Sequence, residues 1–247
     1  MRLSWPQGRT WAVSLTYDDA LPGHYRRVAP ALLDLGLRAT FYVPTRSSLL
    51  NHTHHWAALA ADGHELGNHT CFHPCRNDDD KHADWLDRGL DLRDYTPRRW
   101  REEIGLANWC LQQIDGQTVR SFGNTCHNTT FGPQERNLRI ADYAADMVCA
   151  CRGPCTGAHV SPDEVNLMEL GTAGVDHTAI DDILPLLDRA AQAGGWLILT
   201  MHAVGPADHR LFIDETVHTA LIQRLSDTPA CWCAPVRDIA MHSSSPR

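Results

Sequence analysis

Ala12-Val13-Ser14-Leu15-Thr16-Tyr17-Asp18-Asp19, then Pro22-Gly23, then residues 24–35, then Ala39-Thr40-Phe41-Tyr42-Val43, is the passage that decides the architecture. A short apolar strand, residues 12–16, runs into two carboxylates, and Pro22-Gly23 punctuates the turn that follows. Tyr25, Val28, Ala29, Leu32, Leu33 and Leu35 keep a helical spacing, and Gly36 stands where a left-handed residue ends a helix. Residues 39–43 form a second strand, residues 56–61 end a second helix before Asp62-Gly63, and Glu65-Leu66-Gly67-Asn68 leads into His69. Strand alternating with helix implies parallel strands with the helices packed outside.

The cadence breaks at residues 75–103, a charged stretch dotted with Trp85, Tyr95 and Trp100, read as an inserted loop passing into a helix that ends near Ile114. It resumes with strands at residues 119–122 and 146–150, a helix at about 178–193, the strand 196–201, a helix at 214–225 and a last strand at 231–234. The expectation is an α/β fold of about seven strands. The 247 residues make one domain, since α/β barrels run to about 200–250 residues as a single unit. Asp78-Asp79-Asp80 reads as a solvated turn and Ser243-Ser244-Ser245 as a frayed tail.

Net charge is −8, with no long run of Lys or Arg, which argues against a nucleic-acid or anionic-membrane partner. The apolar run Trp196 to Met201 is far shorter than a bilayer span and reads as a buried strand. The first residues lack the apolar core of a secretory leader, and the nine cysteines form no regular framework. A cytoplasmic setting with mostly reduced thiols is therefore expected.

In a parallel α/β barrel, functional groups gather where strands end. Asp18-Asp19, His69 to His73, Asn124 to His127 and His202 all fall at such ends. Two carboxylates where a strand gives way to loop can divide their roles, one holding a metal and one moving protons. His69 and His73, at i and i+4 and followed by Pro74, suit one helical turn that aims both imidazoles at one ion. Two His and a carboxylate with open positions make a hydrolytic site for one divalent ion, zinc first, with iron, cobalt or nickel also compatible. His202 ends its strand as a candidate general acid or base.

Taken together, Ser14-Leu15-Thr16-Tyr17-Asp18-Asp19, Gly63-His64-Glu65-Leu66-Gly67-Asn68-His69-Thr70 with His73-Pro74, and Leu199-Thr200-Met201-His202 resemble the polysaccharide deacetylase family, carbohydrate esterase family 4. The order and spacing agree from about residue 11 to 240. The resemblance implies a distorted (β/α) barrel of about seven strands, acting on an acetylated carbohydrate. It implies Asp18 as catalytic base, Asp19, His69 and His73 as metal ligands, and His202 as general acid.

Two motifs depart from the family pattern. Where the family has an Arg and a Pro-rich turn that brace the base and offer an oxyanion donor, this chain has Ser121-Phe122-Gly123-Asn124-Thr125-Cys126-His127, resembling a variant with Cys in that turn. Asn124, Cys126 and His127 are its candidate oxyanion and substrate contacts, and Arg120 lies before the strand. For the residue that orients His202, Asp176 is the candidate. Three readings stay open: a carbohydrate deacetylase, a hydrolase of a non-peptide C–N bond in a small non-sugar substrate, and a carbohydrate-binding relative without catalysis. Trp85, Tyr95 and Trp100 could wall a sugar groove or simply anchor a solvated loop. Cys149, Cys151 and Cys155 could bind a metal or form a disulfide, but no second cluster completes a four-ligand site.

Overall fold

Strand β1, Trp11–Asp18, is buried at every residue, as a strand paired on both edges and covered on both faces must be. A computed structural model describes residues 3–46, 49, 51–78, 84–163 and 165–244; Asp79, Asp80, Lys81 and Ser245, which figured in the sequence reading, lie outside them. After β1 the chain makes a π-helical turn, His24–Val28, that passes into α1, Ala29–Asp34, so the single helix read at 24–35 is two segments. Gly36 takes φ +69° and closes α1 as expected. Next come β2 (Thr40–Val43), α2 (Thr53–Ala61) and β3 (Glu65–Asn68).

The segment that follows β3 carries short 3-10 turns and then α3, Pro97–Asp115. Thr96 caps α3 by accepting from the Arg99 N–H, Pro97 opens it, and Gly116 at φ +70° ends it. Beyond lie β4 (Phe122–Gly123), the antiparallel pair β5 (Thr130–Phe131) and β6 (Leu138–Arg139), α4 (Ile140–Ala144), β7 (Cys151–Cys155) and β8 (Leu170–Gly174). The chain ends with α5 (Ile180–Ala193), β9 (Trp196–Met201), β10 (Ala203–Val204), β11 (Phe212–Ile213), α6 (Glu215–Ser226), β12 (Cys231–Cys233) and α7 (Val236–Ser244).

Strands β1, β2, β3, β4, β7, β8 and β9 pair in parallel in that order, and β9 returns to β1, closing a ring of seven. The expected barrel is therefore present, with two changes of membership. The last strand, β12, is an eighth that pairs only with Trp11, Ala12 and Val13 at the start of β1, while β2 takes the same edge from Thr16 onward. In its place the ring includes β8, whose Leu170-Gly171-Thr172-Ala173-Gly174 carries little of the bulk that marks a strand in sequence. The strand expected at 146–150 starts at Cys151 instead and contains Gly153 and Pro154, with a register shift between Arg152 and Cys155.

The main core joins the outer faces of the strands to α1, α2, α5 and α6. A second cluster lies beneath the inserted segment, where Tyr95 and Trp100 are buried with Ile104, Phe122 and Phe131. Two of the three aromatics considered for a sugar groove are thus core residues. Among the described residues, no helix is long and apolar enough to cross a membrane.

Candidate active site

Asp18 closes β1, and its carboxylate faces Arg152 of β7 across the barrel interior. Nη1 donates to Oδ1 and Nη2 to Oδ2, each at 2.7 Å. Nη1 also reaches the hydroxyls of Thr16 (3.0 Å) and Thr200 (3.2 Å), and the guanidinium lies 4.5 Å from the centre of the Tyr42 ring. Arg152 is 0% and Asp18 4% exposed, so this is a buried, two-pronged ion pair. Burial alone would raise the Asp18 carboxyl pKa, but Arg152 first, then His69 and His202, hold it well below the usual carboxylate range. The Tyr42 ring fits between glycines: a Cβ on Gly67 or Gly123 would come within 2.5 or 2.7 Å of it.

Asp19 turns away from β1 with φ +77° and meets the two histidines. Its Oδ1 is 3.2 Å from His73 Nε2 and 3.8 Å from His69 Nε2, and these three atoms lie within 4.8 Å of one another. His69 Nδ1 donates to the Gly123 carbonyl at 2.7 Å, which leaves the lone pair of Nε2 facing Asp19. Burial pushes the His69 pKa down to about 4, and also lowers that of His73, so both rings are neutral and able to ligate. Asp19 Oδ1 is buried without a hydrogen-bond partner. An orphaned carboxylate oxygen facing two imidazole nitrogens fits a divalent cation.

The His69–His73 segment is not the helical turn that the i, i+4 spacing suggests. Thr70 (φ +67°) and His73 (φ +58°) are left-handed, and side chains replace the helical hydrogen bonds. Asn68 Oδ1 accepts from Thr70 N and Thr70 Oγ1 from His73 N, both at 2.8 Å. Of the eight non-glycine residues with positive φ among the described residues, six (Asp19, Ala20, Thr70, His73, Cys126, His127) sit on the loops of this site. Backbone strain is concentrated where side chains must converge.

His202 follows β9, and Asp176 grips it twice. Oδ2 accepts from His202 Nδ1 at 2.6 Å and Oδ1 from His202 N at 3.1 Å. The buried His24 ring bonds the His202 carbonyl at 2.9 Å, fixing the backbone from the other side. Burial works against a charged His202, but the Asp176 bond and the neighbouring Asp18 and Asp19 outweigh it and raise its pKa. His202 Nε2 lies 4.0 Å from Asp19 Oδ2.

Of the third-motif candidates, Cys126 and His127 line the pocket, while Asn124 is buried and does not. Cys126 is disulfide-bonded to Cys75, two residues past His73, which corrects the reduced-thiol expectation for that pair; the other seven cysteines are free. Among the described residues, Cys149, Cys151 and Cys155 join no metal-binding group. Arg120 binds Asp115 and the Leu66 and Gln117 carbonyls, away from the site.

Sequence reading missed two groups. Arg152 was hidden in the Cys149–Cys155 stretch, read for its sulfurs, and the Gly153-Pro154 that follows it masks the strand. His209, on the loop between β10 and β11, stacks on His202 with ring centres 5.2 Å apart and places Nε2 4.0 Å from Asp19 Oδ2. An open pocket of about 760 Å³ covers the site; Arg46, Asp84, Trp85 and Arg210 also line it.

The fold and the site together define a seven-stranded parallel barrel with a His-His-Asp cluster and a buried Asp18–Arg152 ion pair at one rim. The profile of the polysaccharide deacetylase family matches residues 7–126. The chain is similar to a gellan lyase from Bacillus sp, 35% identical over 171 residues, a match that covers 69% of this chain and 6% of that protein's length. Its fold is like that of a Mycobacterium smegmatis protein assigned as a polysaccharide deacetylase (TM-score 0.66, 16% identity, 98% of this chain and 93% of the other). It is also like the Bc1960 peptidoglycan N-acetylglucosamine deacetylase (TM-score 0.60, 16% identity, 99% and 94%).

Proposed function

We propose that this chain is a metal-dependent hydrolase that removes an N- or O-linked acetyl group from a carbohydrate. The observation that carries the reading is the buried Asp19 Oδ1, without a hydrogen-bond partner and facing the Nε2 atoms of two histidines, with Asp18 and His202 beside it. Asp19, His69 and His73 would hold one divalent ion, with zinc the first choice for two nitrogens and one oxygen. Such an ion supplies Lewis acidity to an acyl oxygen and acidifies the water that attacks it.

Asp18 takes the proton from that water. Arg152 holds this carboxylate charged and aimed, so that it can accept a proton. His202 presents Nε2–H to the departing amine or alcohol, with Asp176 fixing the tautomer through Nδ1. The Cys75–Cys126 disulfide suits an oxidising setting. In the cytoplasm, the compartment expected from sequence, that pair would be a dithiol.

The test is elemental analysis of protein purified without added metal, paired with acetate release from a panel of acetylated sugars before and after chelation. Asp18→Asn should keep the metal and lose turnover by at least about 100-fold. No bound metal and no affinity for added zinc would overturn the reading.

A further inference from the structure

The charged groups of the pocket fall into two sets. Asp18 is held by Arg152, Asp176 by His202, and Asp19 faces the histidines. Arg46, Arg210 and Asp84 remain, exposed and without an ion pair among the described residues. We infer that the acetylated sugar bound here carries anionic groups, carboxylate or sulfate, taken by Arg46 and Arg210. The inference rests on the deacetylase reading above and narrows its substrate class.

Both arginines line the pocket that holds Asp19. Arg46 shares the pocket lining with His73. Arg210 is on the acid side, next in sequence to His209, whose ring stacks on His202. Its backbone is pinned there by a bond between its carbonyl and His177 Nε2 at 3.0 Å. A chain lying in the pocket therefore has two guanidinium groups to meet. In a molecule of net charge −8, two cations without an ion pair among the described residues line this one pocket.

Arginine is suited to this task. Its planar fork matches the paired oxygens of a carboxylate or sulfate, a match a neutral hydroxyl cannot supply. Asp84, an acceptor only, is matched to sugar hydroxyls. Trp85, 45% exposed with its ring centre 6.0 Å from that of His73, offers a flat face at the same mouth.

Binding and turnover are to be measured separately on the full chain. Calorimetry compares an oligouronate, the same backbone as a neutral reduced oligosaccharide, and a sulfated neutral one, with wild type and with Arg46→Gln/Arg210→Gln. Tighter binding of the anionic forms by about tenfold per guanidinium, lost in the double variant, is expected. Whichever anion binds more tightly identifies the source. Equal affinity for neutral and anionic chains, or a preference that survives in the double variant, overturns the inference. Acetate release from acetylated forms of the same chains tests the deacetylase reading: its absence alongside Arg-dependent binding would overturn that reading and leave the anionic preference standing.

Discussion

Replacing Arg152 by Met leaves the Asp18 carboxylate buried with its principal counter-charge gone. Both prongs at 2.7 Å and the bonds to Thr16 and Thr200 are lost together. Removing one member of a buried pair costs roughly 3–5 kcal/mol, because the survivor can neither return to water nor find another partner. The unfolding constant of Arg152→Met should therefore rise by roughly two to three and a half powers of ten. Asp18→Asn leaves an unpaired guanidinium and is destabilising for the mirror-image reason. Combined, the two substitutions strand no charge, so the double variant should be more stable than the sum of the singles by at least about 2 kcal/mol. Urea denaturation of the four proteins in chelator, with m-values compared to confirm the same folded state, measures this directly. Turnover of Arg152→Met should fall at least about 100-fold as Asp18 loses the partner that keeps it charged and aimed. Additivity within about 0.5 kcal/mol would refute the coupling and with it the role given to Arg152.

Asp176→Asn removes the carboxylate that most raises the His202 pKa. The proton-donating form of His202 is lost as pH rises through that pKa, so the alkaline limb of the pH–rate profile should move to lower pH; an unmoved limb would place the acid elsewhere. Cys75→Ser opens a covalent loop spanning 51 residues. Equilibrium unfolding should show a loss of about 4 kcal/mol. Mass spectrometry after alkylation of the unreduced, unfolded wild type should find seven modified thiols. Burial lowers the pKa values of His24, His64 and His218 to about 4 in the folded chain. Below about pH 6.5 the unfolded chain takes these protons and the folded chain does not, so stability should fall as pH drops from about 6.5 to about 4, by up to about 3 kcal/mol per histidine. A flat stability profile across that window would contradict the burial of these rings.

The parts of the fold legible in sequence were those in which pattern and burial coincide. Val13-Ser14-Leu15-Thr16 and Trp196 to Met201 are apolar because they sit side by side in the closed ring. Strand β8 was invisible because its neighbours, not its own side chains, supply the packing. The convergence of Asp19, His69 and His73 was legible because their residue types and strand-end positions point to one cluster, but the turn that joins the two histidines was misread: Thr70 and His73 at positive φ reach the convergent geometry by a route that spacing does not encode. Asp176 was found only as a weak candidate, since 26 residues of sequence separate it from the histidine it holds. Arg152 escaped for a similar reason. The pair it makes with Asp18 spans 134 residues and exists only once the ring has closed.

The bond between Cys75 and Cys126 also has a topological consequence. It makes residues 75–126 a covalent macrocycle containing all of α3, with its knot tied beside a metal-ligand candidate. A single proteolytic cut at exposed Arg88 would linearise that ring without releasing a fragment. The nicked protein should migrate as one species until a reductant is added, with His69 and His73 on one piece and Gly123, which orients His69, still fastened to it from the other.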